Sequence, residues 1–321
     1  MQLSKYAKYK RILTGSPVTK SPMDLYSQCA FLDTMSLDQA SYFAFQNRYA
    51  VVQKRFMGAR SFNEITGYRR LDELNEKLNK FSVRTLKEDC LDLPEKIYIK
   101  RSVPLTAEQT KLYAQMKKYA LAQLEGGQLA TTASVLTQIM RLQQICCGYL
   151  MSDEGELKVL DNNRMTELMA AVEECSGKVI IWCNYTHDIK EIEKALSSKY
   201  GRDSVATYYG ETKQDDRQQT VDNFQDMNSP LRFFVGQPKT GGYGITLTAA
   251  NTMIYYSNSY DLEIRLQSED RAHRIGQKKA VTYIDLIVED TIDEKIVKSL
   301  REKINLAGEV LGEEQKRWLL N

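Results

Sequence analysis

The alternation of apolar runs with amphipathic stretches in the C-terminal half constrains the fold of these 321 residues more than any other feature. KVIIWC (Lys178 to Cys183), SVATYY (Ser204 to Tyr209), LRFFVG (Leu231 to Gly236), NTMIYYS (Asn251 to Ser257) and VTYIDLI (Val281 to Ile287) read as strands. Between them lie helix patterns at His187 to Lys199, Asp215 to Phe224 and Asp261 to Ile275. The order β-α-β-α-β, a loop with room for a short helix, then β-α-β predicts an α/β domain around an open parallel sheet. A terminal helix has its own start signal, a capping box formed by Thr291, Ile292, Asp293 and Glu294.

The first half reads as mainly helical. Leu71, Leu74, Leu78 and Phe81 recur at helical spacing, as do Val135, Ile139, Leu142 and Ile145. Thr106 and Gln109 form a second capping box, after Pro104, opening a helix with Leu112, Met116 and Tyr119. Gly126 to Gln128 and Ser152 to Glu156 are loop candidates.

With 42% apolar residues the chain can bury a sizeable core in one large domain or two. A net charge of +2 announces no global field, so any basic surface is local. One such patch runs from Arg48 to Phe62, where Arg48, Lys54, Arg55 and Arg60 interleave with Tyr49, Phe56 and Phe62 and no acid intervenes. It reads equally as a binder of DNA phosphates or as a solvated helical face. The six cysteines include no CxxC pair and the chain has two histidines, so neither a structural metal nor a disulfide framework is expected. No apolar run reaches the roughly 18 residues of a membrane span and no signal core opens the chain, which points to a reducing cytoplasm and no membrane partner.

The segment IRLQSEDRAHRIGQ (Ile264 to Gln277) places Gln267, Arg271 and Arg274 at offsets of four and three, one face of a predicted helix. Two guanidiniums on one face suit the stabilisation of charge on a phosphoryl group in transfer, because each is a permanent cation with a rigid fork of donors. The stretch resembles motif VI of the Swi/Snf-type family of superfamily-two helicase-like ATPases, which are double-stranded DNA translocases.

Other segments resemble the family in its own order. LTGSP (Leu13 to Pro17) is similar to motif III, with Ser16 where threonine is usual. RTLKEDCLDLPEK (Arg84 to Lys96), VPLTAEQTKLY (Val103 to Tyr113) and IMRLQQICCGYL (Ile139 to Leu150) resemble its helical protrusions and linker. CNYTHD (Cys183 to Asp188) is similar to motif IV, YYGETKQDDRQQTVDNF (Tyr208 to Phe224) to the block after it, and KTGGYGITL (Lys239 to Leu247) to motif V. The chain departs from the family at Thr246, where asparagine is usual, and at SYDLEIRL, where a tryptophan-asparagine-proline turn is usual. TGGYGITLTAA and YDLEIRLQSEDR resemble phage or prophage members.

The resemblance implies a RecA-like lobe with helical protrusions and the tail of a first lobe. Its divisions are 1–36 for that tail, 37–150 for protrusion and linker, and 151–321 for the second lobe with its C-terminal helices. It implies Arg271 and Arg274 as arginine fingers, with Gln267, Asp270, Gly242 and Gly244 beside the nucleotide. It implies Thr14, Gly15 and Ser16 as interlobe coupling, and Asn184, Tyr185, Gly210, Lys239 and Thr240 on the DNA backbone. His273 reads as structural or DNA-side, with no acid partner in sequence reach to make it a base.

Gly177-Lys178 is followed by valine, so no GxxxxGK[ST] loop is present, and none of Asp72-Glu73, Asp153-Glu154 or Asp293-Glu294 follows a buried strand as a Walker B or DEAH pair would. ATP and Mg2+ are therefore expected to be held mainly by a first lobe lying upstream, this chain being a C-terminal fragment whose partners are that lobe and duplex DNA. The competing reading is a naturally short, non-catalytic DNA-binding or regulatory module.

Overall fold

The computed structural model describes residues 3–57, 60–125, 132–152, 154–241 and 244–311, and these divide into two compact units. The first comprises the chain up to Leu86, Asp261–Glu263 and the stretch beginning at Ser299. It holds α1 (Asp24–Leu32), α2 (Tyr42–Tyr49), a hairpin of β1 (Ala50–Met57) and β2 (Arg60–Tyr68), and α3 (Leu71–Asn79). Ser41 caps α2 by accepting from the Ala44 amide at 3.2 Å. Leu71, Leu74 and Leu78 bury one stripe of α3 against Leu25, Cys29, Phe45, Tyr49 and Val310, whereas Phe81 lies past the helix end and is exposed. Glu73 on α3 accepts both forks of Arg48 at 2.7 Å and the Tyr49 hydroxyl at 2.9 Å. These bonds, led by that from Arg48, hold its pKa at about 2.

The reading of Arg48 to Phe62 as a helical face fails. The α2 helix stops at Tyr49, and β1 pairs antiparallel with β2 from Ala50↔Tyr68 to Met57↔Arg60, with a bulge between Val51 and Val52. The β-branched and aromatic residues of the segment fit an extended ladder that helical spacing could not register.

The second unit begins at Lys87. Its elements are α4 (Lys87–Cys90), β3 (Lys96–Ser102), α5 (Ala107–Glu125), α6 (Thr132–Cys147), the short pair β4 (Tyr149–Met151) and β5 (Leu157–Val159), α7 (Asn163–Glu174), β6 (Lys178–Trp182), α8 (Thr186–Tyr200), β7 (Val205–Tyr208) and α9 (Gln214–Gln225). They continue through β8 (Phe233–Gly236), α10 (Pro238–Gly241), β9 (Ala250–Tyr255), α11 (Leu262–Glu269), β10 (Val281–Ile287) and α12 (Ile292–Leu311). The first two residues of α11 and the part of α12 from Ser299 onward belong to the first unit.

Six strands form one sheet in the order β3-β10-β9-β6-β8-β7, every neighbouring pair parallel. The expected α/β sheet is therefore present, its core built from Ile180, Trp182, Phe224, Phe234, Met253, Tyr255 and Tyr283. All five residues of β6 are buried, as the apolar run Val179 to Trp182 requires of a central strand. The Thr106–Gln109 box forms reciprocally, with amide-to-side-chain distances of 3.0 and 3.3 Å. At α12 the Thr291 hydroxyl accepts from the Asp293 amide while Glu294 reaches the Asp290 amide instead, so the second box is not reciprocal.

The compact units thus divide after Leu86, inside the segment assigned to protrusion and linker. The cause is β3, an edge strand read as part of a helical region, which pairs along its whole length with β10 from Val281↔Lys96 to Ile287↔Ser102. The α5–α6 pair follows it into the second unit, where Gln143 donates to the Asn258 carbonyl at 2.7 Å and accepts from the Tyr185 hydroxyl at 2.6 Å. Among the described residues, no helix is long and apolar enough to cross a membrane.

Candidate functional site

The helix expected over Asp261 to Ile275 ends at Glu269, and Arg271 and Arg274 stand on the turns that follow. They do not share a helical face with Gln267. The carbonyls that would carry the helix onward are taken by tertiary partners: the Leu247 amide binds the Arg271 carbonyl at 2.9 Å, and the Gln277 side chain binds that of Ala272 at 3.3 Å. Gly276, at φ +101°, then reverses the chain in a conformation closed to most side chains.

The turn nonetheless brings the two arginines together. Arg271 donates Nε to the Gln267 carbonyl at 2.8 Å and Nη1 to the Ile245 carbonyl at 3.2 Å, and Arg274 donates Nη1 to that same Ile245 oxygen at 3.3 Å. Burial and the neighbouring Arg274 lower the Arg271 pKa from its ordinary value, which places two cations in mutual repulsion. Among the described residues neither is in an ion pair, and Asp270, the nearest acid in sequence, pairs with Lys87 at 2.5 Å. Gln277 fixes the turn to the entrance of β9 through the Thr248 and Ala250 carbonyls at 3.2 and 2.9 Å.

Behind the turn lies a buried charge network built on Arg265 and Glu269. Arg265 bonds Glu269 at 2.9 Å, both oxygens of Asp285 at 2.6 and 3.0 Å, and the Asn258 amide oxygen at 2.7 Å. Glu269 also accepts from the Tyr98 hydroxyl at 2.8 Å and from Lys96 at 3.2 Å, tying α11 to β3. The only sequence signal was an Asp inside the otherwise apolar VTYIDLI, a buried acid that must find a cation. His273 Nε2 lies 2.7 Å from the Pro94 carbonyl, and burial lowers its pKa from the ordinary value.

The residues expected on the DNA backbone gather at the opposite, C-terminal edge of the sheet. Asn184 and Tyr185 follow β6, Gly210 follows β7, and Lys239 and Thr240 follow β8. Asn184 is fixed through its amide to the Ser257 hydroxyl at 2.9 Å and through its carbonyl to Gln237 at 3.2 Å. Lys239 and Gly210 are exposed. Loops and amide donors converge at such edges, where open α/β sheets receive ligands. Of the motif V glycines, Gly241 is demanded by packing, since a Cβ there would stand 2.8 Å from the Trp182 ring. Gly244 takes φ +74° in open space, and Gly242 lies outside the described residues. In the first unit Thr14 and Gly15 are exposed, and the Thr14 hydroxyl accepts from the Ser16 amide at 3.1 Å.

Two family models match the chain, the SNF2-related domain over residues 2–150 and the helicase conserved C-terminal domain over residues 162–276. The chain belongs to the SNF2-related helicase family. Among SNF2 relatives it is 29% identical to YwqA of Bacillus subtilis, over 96% of this chain and 33% of that protein. It is 27% identical to the SWI/SNF chromatin-remodeling complex subunit snf22 of Schizosaccharomyces pombe, over 95% of this chain and 19% of that protein. The chain therefore spans a third or less of the length of these curated relatives. The Sulfolobus solfataricus SWI2/SNF2 ATPase core in complex with dsDNA superposes with a TM-score of 0.53 at 26% identity, over 85% of this chain and 56% of that one. The C-terminal part of the Fun30 ATPase domain shares the fold, with a TM-score of 0.54 at 21% identity, over 65% of this chain and 89% of that one. In this SNF2 chain, motif VI is a helix end plus a turn, braced by α11, β3 and β10.

Proposed function

We propose that this chain is the motor half of an ATP-driven double-stranded DNA translocase of Swi/Snf type, with Arg271 and Arg274 as its arginine fingers. The observation that carries this reading is the convergence of both guanidiniums on the Ile245 carbonyl without a carboxylate partner. Two uncompensated cations with spare N–H donors match the chemistry of a polyphosphate, so this donor set fits ATP. The nucleotide, with Mg2+, supplies the phosphoryl group that passes to water, and a first lobe carrying a GxxxxGK[ST] loop supplies most of its binding.

The residues of this chain then divide the work. Arg271 and Arg274 stabilise charge that develops on the phosphoryl oxygens, their forks held in advance by the Gln267 and Ile245 carbonyls. Gln267 and Gly244 serve the same nucleotide, as does Gly242 in the reading of the motif, while Asp270, engaged by Lys87, sets the position of the turn. Thr14, Gly15 and Ser16 relay nucleotide state between lobes. Asn184, Tyr185, Gly210, Lys239 and Thr240 grip the duplex through its phosphates, independent of sequence. Nucleotide and DNA thus act on opposite edges of one parallel sheet, which moves as a rigid body between them.

The test is ATP hydrolysis with and without duplex DNA, for the chain alone and combined with a phosphate-loop lobe. DNA-stimulated hydrolysis by the combination, abolished by Arg274→Ala with DNA affinity held within a few-fold, is the expected result. Unchanged hydrolysis in Arg274→Ala overturns the finger assignment.

A further inference from the structure

The β1–β2 hairpin is used by none of the motifs above, yet it concentrates charge and aromatic surface. Between residues 40 and 70 the chain has Arg48, Lys54, Arg55, Arg60, Arg69 and Arg70 against a single acid, Glu64, in a protein whose overall net charge is only +2. The base of the hairpin is anchored, with Val52, Ile65 and Tyr68 packed on the core of the first unit. Among the described residues of its outer part, Gln53 to Phe56 and Ser61 to Glu64, none is buried. Cross-strand pairing sets Lys54 with Asn63 and Phe56 with Ser61 on one face, and Arg55 with Phe62 on the other, and all six are exposed. Phe56 is 73% exposed and Phe62 46%. Lys54 Nζ stands over the Phe56 ring, 5.7 Å from its centroid, and Arg55 pairs with Glu64 across the strands at 2.6 Å.

Each face of the projecting ribbon therefore offers one aromatic ring beside one cation. Burying rings of this size against a partner is favourable, and the ribbon itself offers them no core. The cationic excess makes the partner a polyanion, and a ring flanked by a cation is the arrangement that stacks on a base while its neighbour meets the phosphate. Paired bases inside an intact duplex present no free face to such a ring, whereas bases at an opened end do.

We propose that the β1–β2 hairpin binds DNA where a duplex opens, with Phe56 and Phe62 stacking on unpaired bases at the junction and Lys54 and Arg55 on the flanking phosphates. This rests on the duplex-binding reading above and adds a preferred DNA geometry to it. The contact is independent of ATP.

The experiment measures binding of the 321-residue chain to a blunt duplex and to a forked duplex of the same paired sequence, by fluorescence anisotropy, with 2-aminopurine at the first unpaired position of the fork. The fork is expected to bind at least about fivefold tighter than the blunt duplex, as one or two stacked bases allow, with 2-aminopurine emission changing on binding. Phe56→Ser/Phe62→Ser, which alters only exposed side chains, is expected to erase both the preference and the emission change, and Phe56→Tyr/Phe62→Tyr to restore them. Equal affinity for the two probes, or a preference that survives the serine variant, overturns this inference and leaves the duplex reading standing. Binding to neither probe overturns both.

Discussion

Arg271 and Arg274 share one acceptor, the carbonyl oxygen of Ile245, which lies 3.2 Å from a nitrogen of the first and 3.3 Å from one of the second. A backbone oxygen cannot be removed by substitution, so the arginines themselves are the handle. Replacing either by alanine in the combined enzyme should lower DNA-stimulated hydrolysis by about 10³- to 10⁵-fold, the range of other arginine fingers. Arg271→Lys should fare little better, because one ammonium cannot span the Gln267 and Ile245 carbonyls while also facing a phosphate. Steady-state ATPase assays decide this, and near-normal turnover in Arg271→Lys would reduce the site to a point charge.

Asp285 neutralises a guanidinium that has no access to water. Asp285→Ala should destabilise the second unit by about 3–5 kcal/mol, because the buried Arg265 loses both bonds to its bidentate carboxylate partner. Urea unfolding followed by circular dichroism gives the number. A loss below about 1 kcal/mol would mean that the network contributes no more than a surface pair does.

Gly241 tests whether motif V is governed by packing. Gly241→Ala places a methyl group 2.8 Å from Trp182, a fully buried ring that cannot retreat. Overpacking of this kind costs about 1–3 kcal/mol. Thermal unfolding, together with a shift in Trp182 emission, should register it.

Glu73 makes the first unit acid-sensitive. Its folded pKa, about 2, lies below the ordinary 4.5, so its contribution is present in full above 4.5 and is lost as pH falls through 2. Urea midpoints measured from neutral pH downward should fall over that window in the wild type and be flatter in Glu73→Gln. Equal slopes would show that the Arg48 bonds do not persist in solution.

Asp188 slopes the other way. Burial raises its pKa from 3.8 to about 8, partly offset by Arg164 and by the Cys147 thiol that donates to it. The folded state holds the proton that the unfolded chain gives up, so stability declines as pH rises from 3.8 to 8. Asp188→Asn removes that slope, and the stability of the variant relative to wild type should increase steadily over the same range.

The central sheet was legible because its inner strands are unbroken apolar runs, and Val179 to Trp182 admit no other placement. The edge strand β3 was not, since Lys96, Lys100 and Arg101 dilute Ile97, Tyr98 and Ile99 and its partner β10 is remote in sequence. The identity of the arginine pair could be read from its letters, but its geometry could not. Helical offsets put Arg271 and Arg274 on one face, whereas tertiary bonds to Leu247 and Gln277 ended the helix first and joined them by another route. The hairpin escaped because an aromatic and basic segment of that length satisfies helical and extended spacing alike.

The long-range pairing of β3 also sets an order of events during synthesis. Lys96–Ser102 leaves the ribosome well before Val281–Ile287, the strand it must line up with in parallel. Until then its ladder groups have no partner and the inner edge of the nascent sheet has no cover. A chain begun at residue 151 would carry the defect permanently, presenting the bare flank of β10 to its neighbours and self-associating, however complete its motifs.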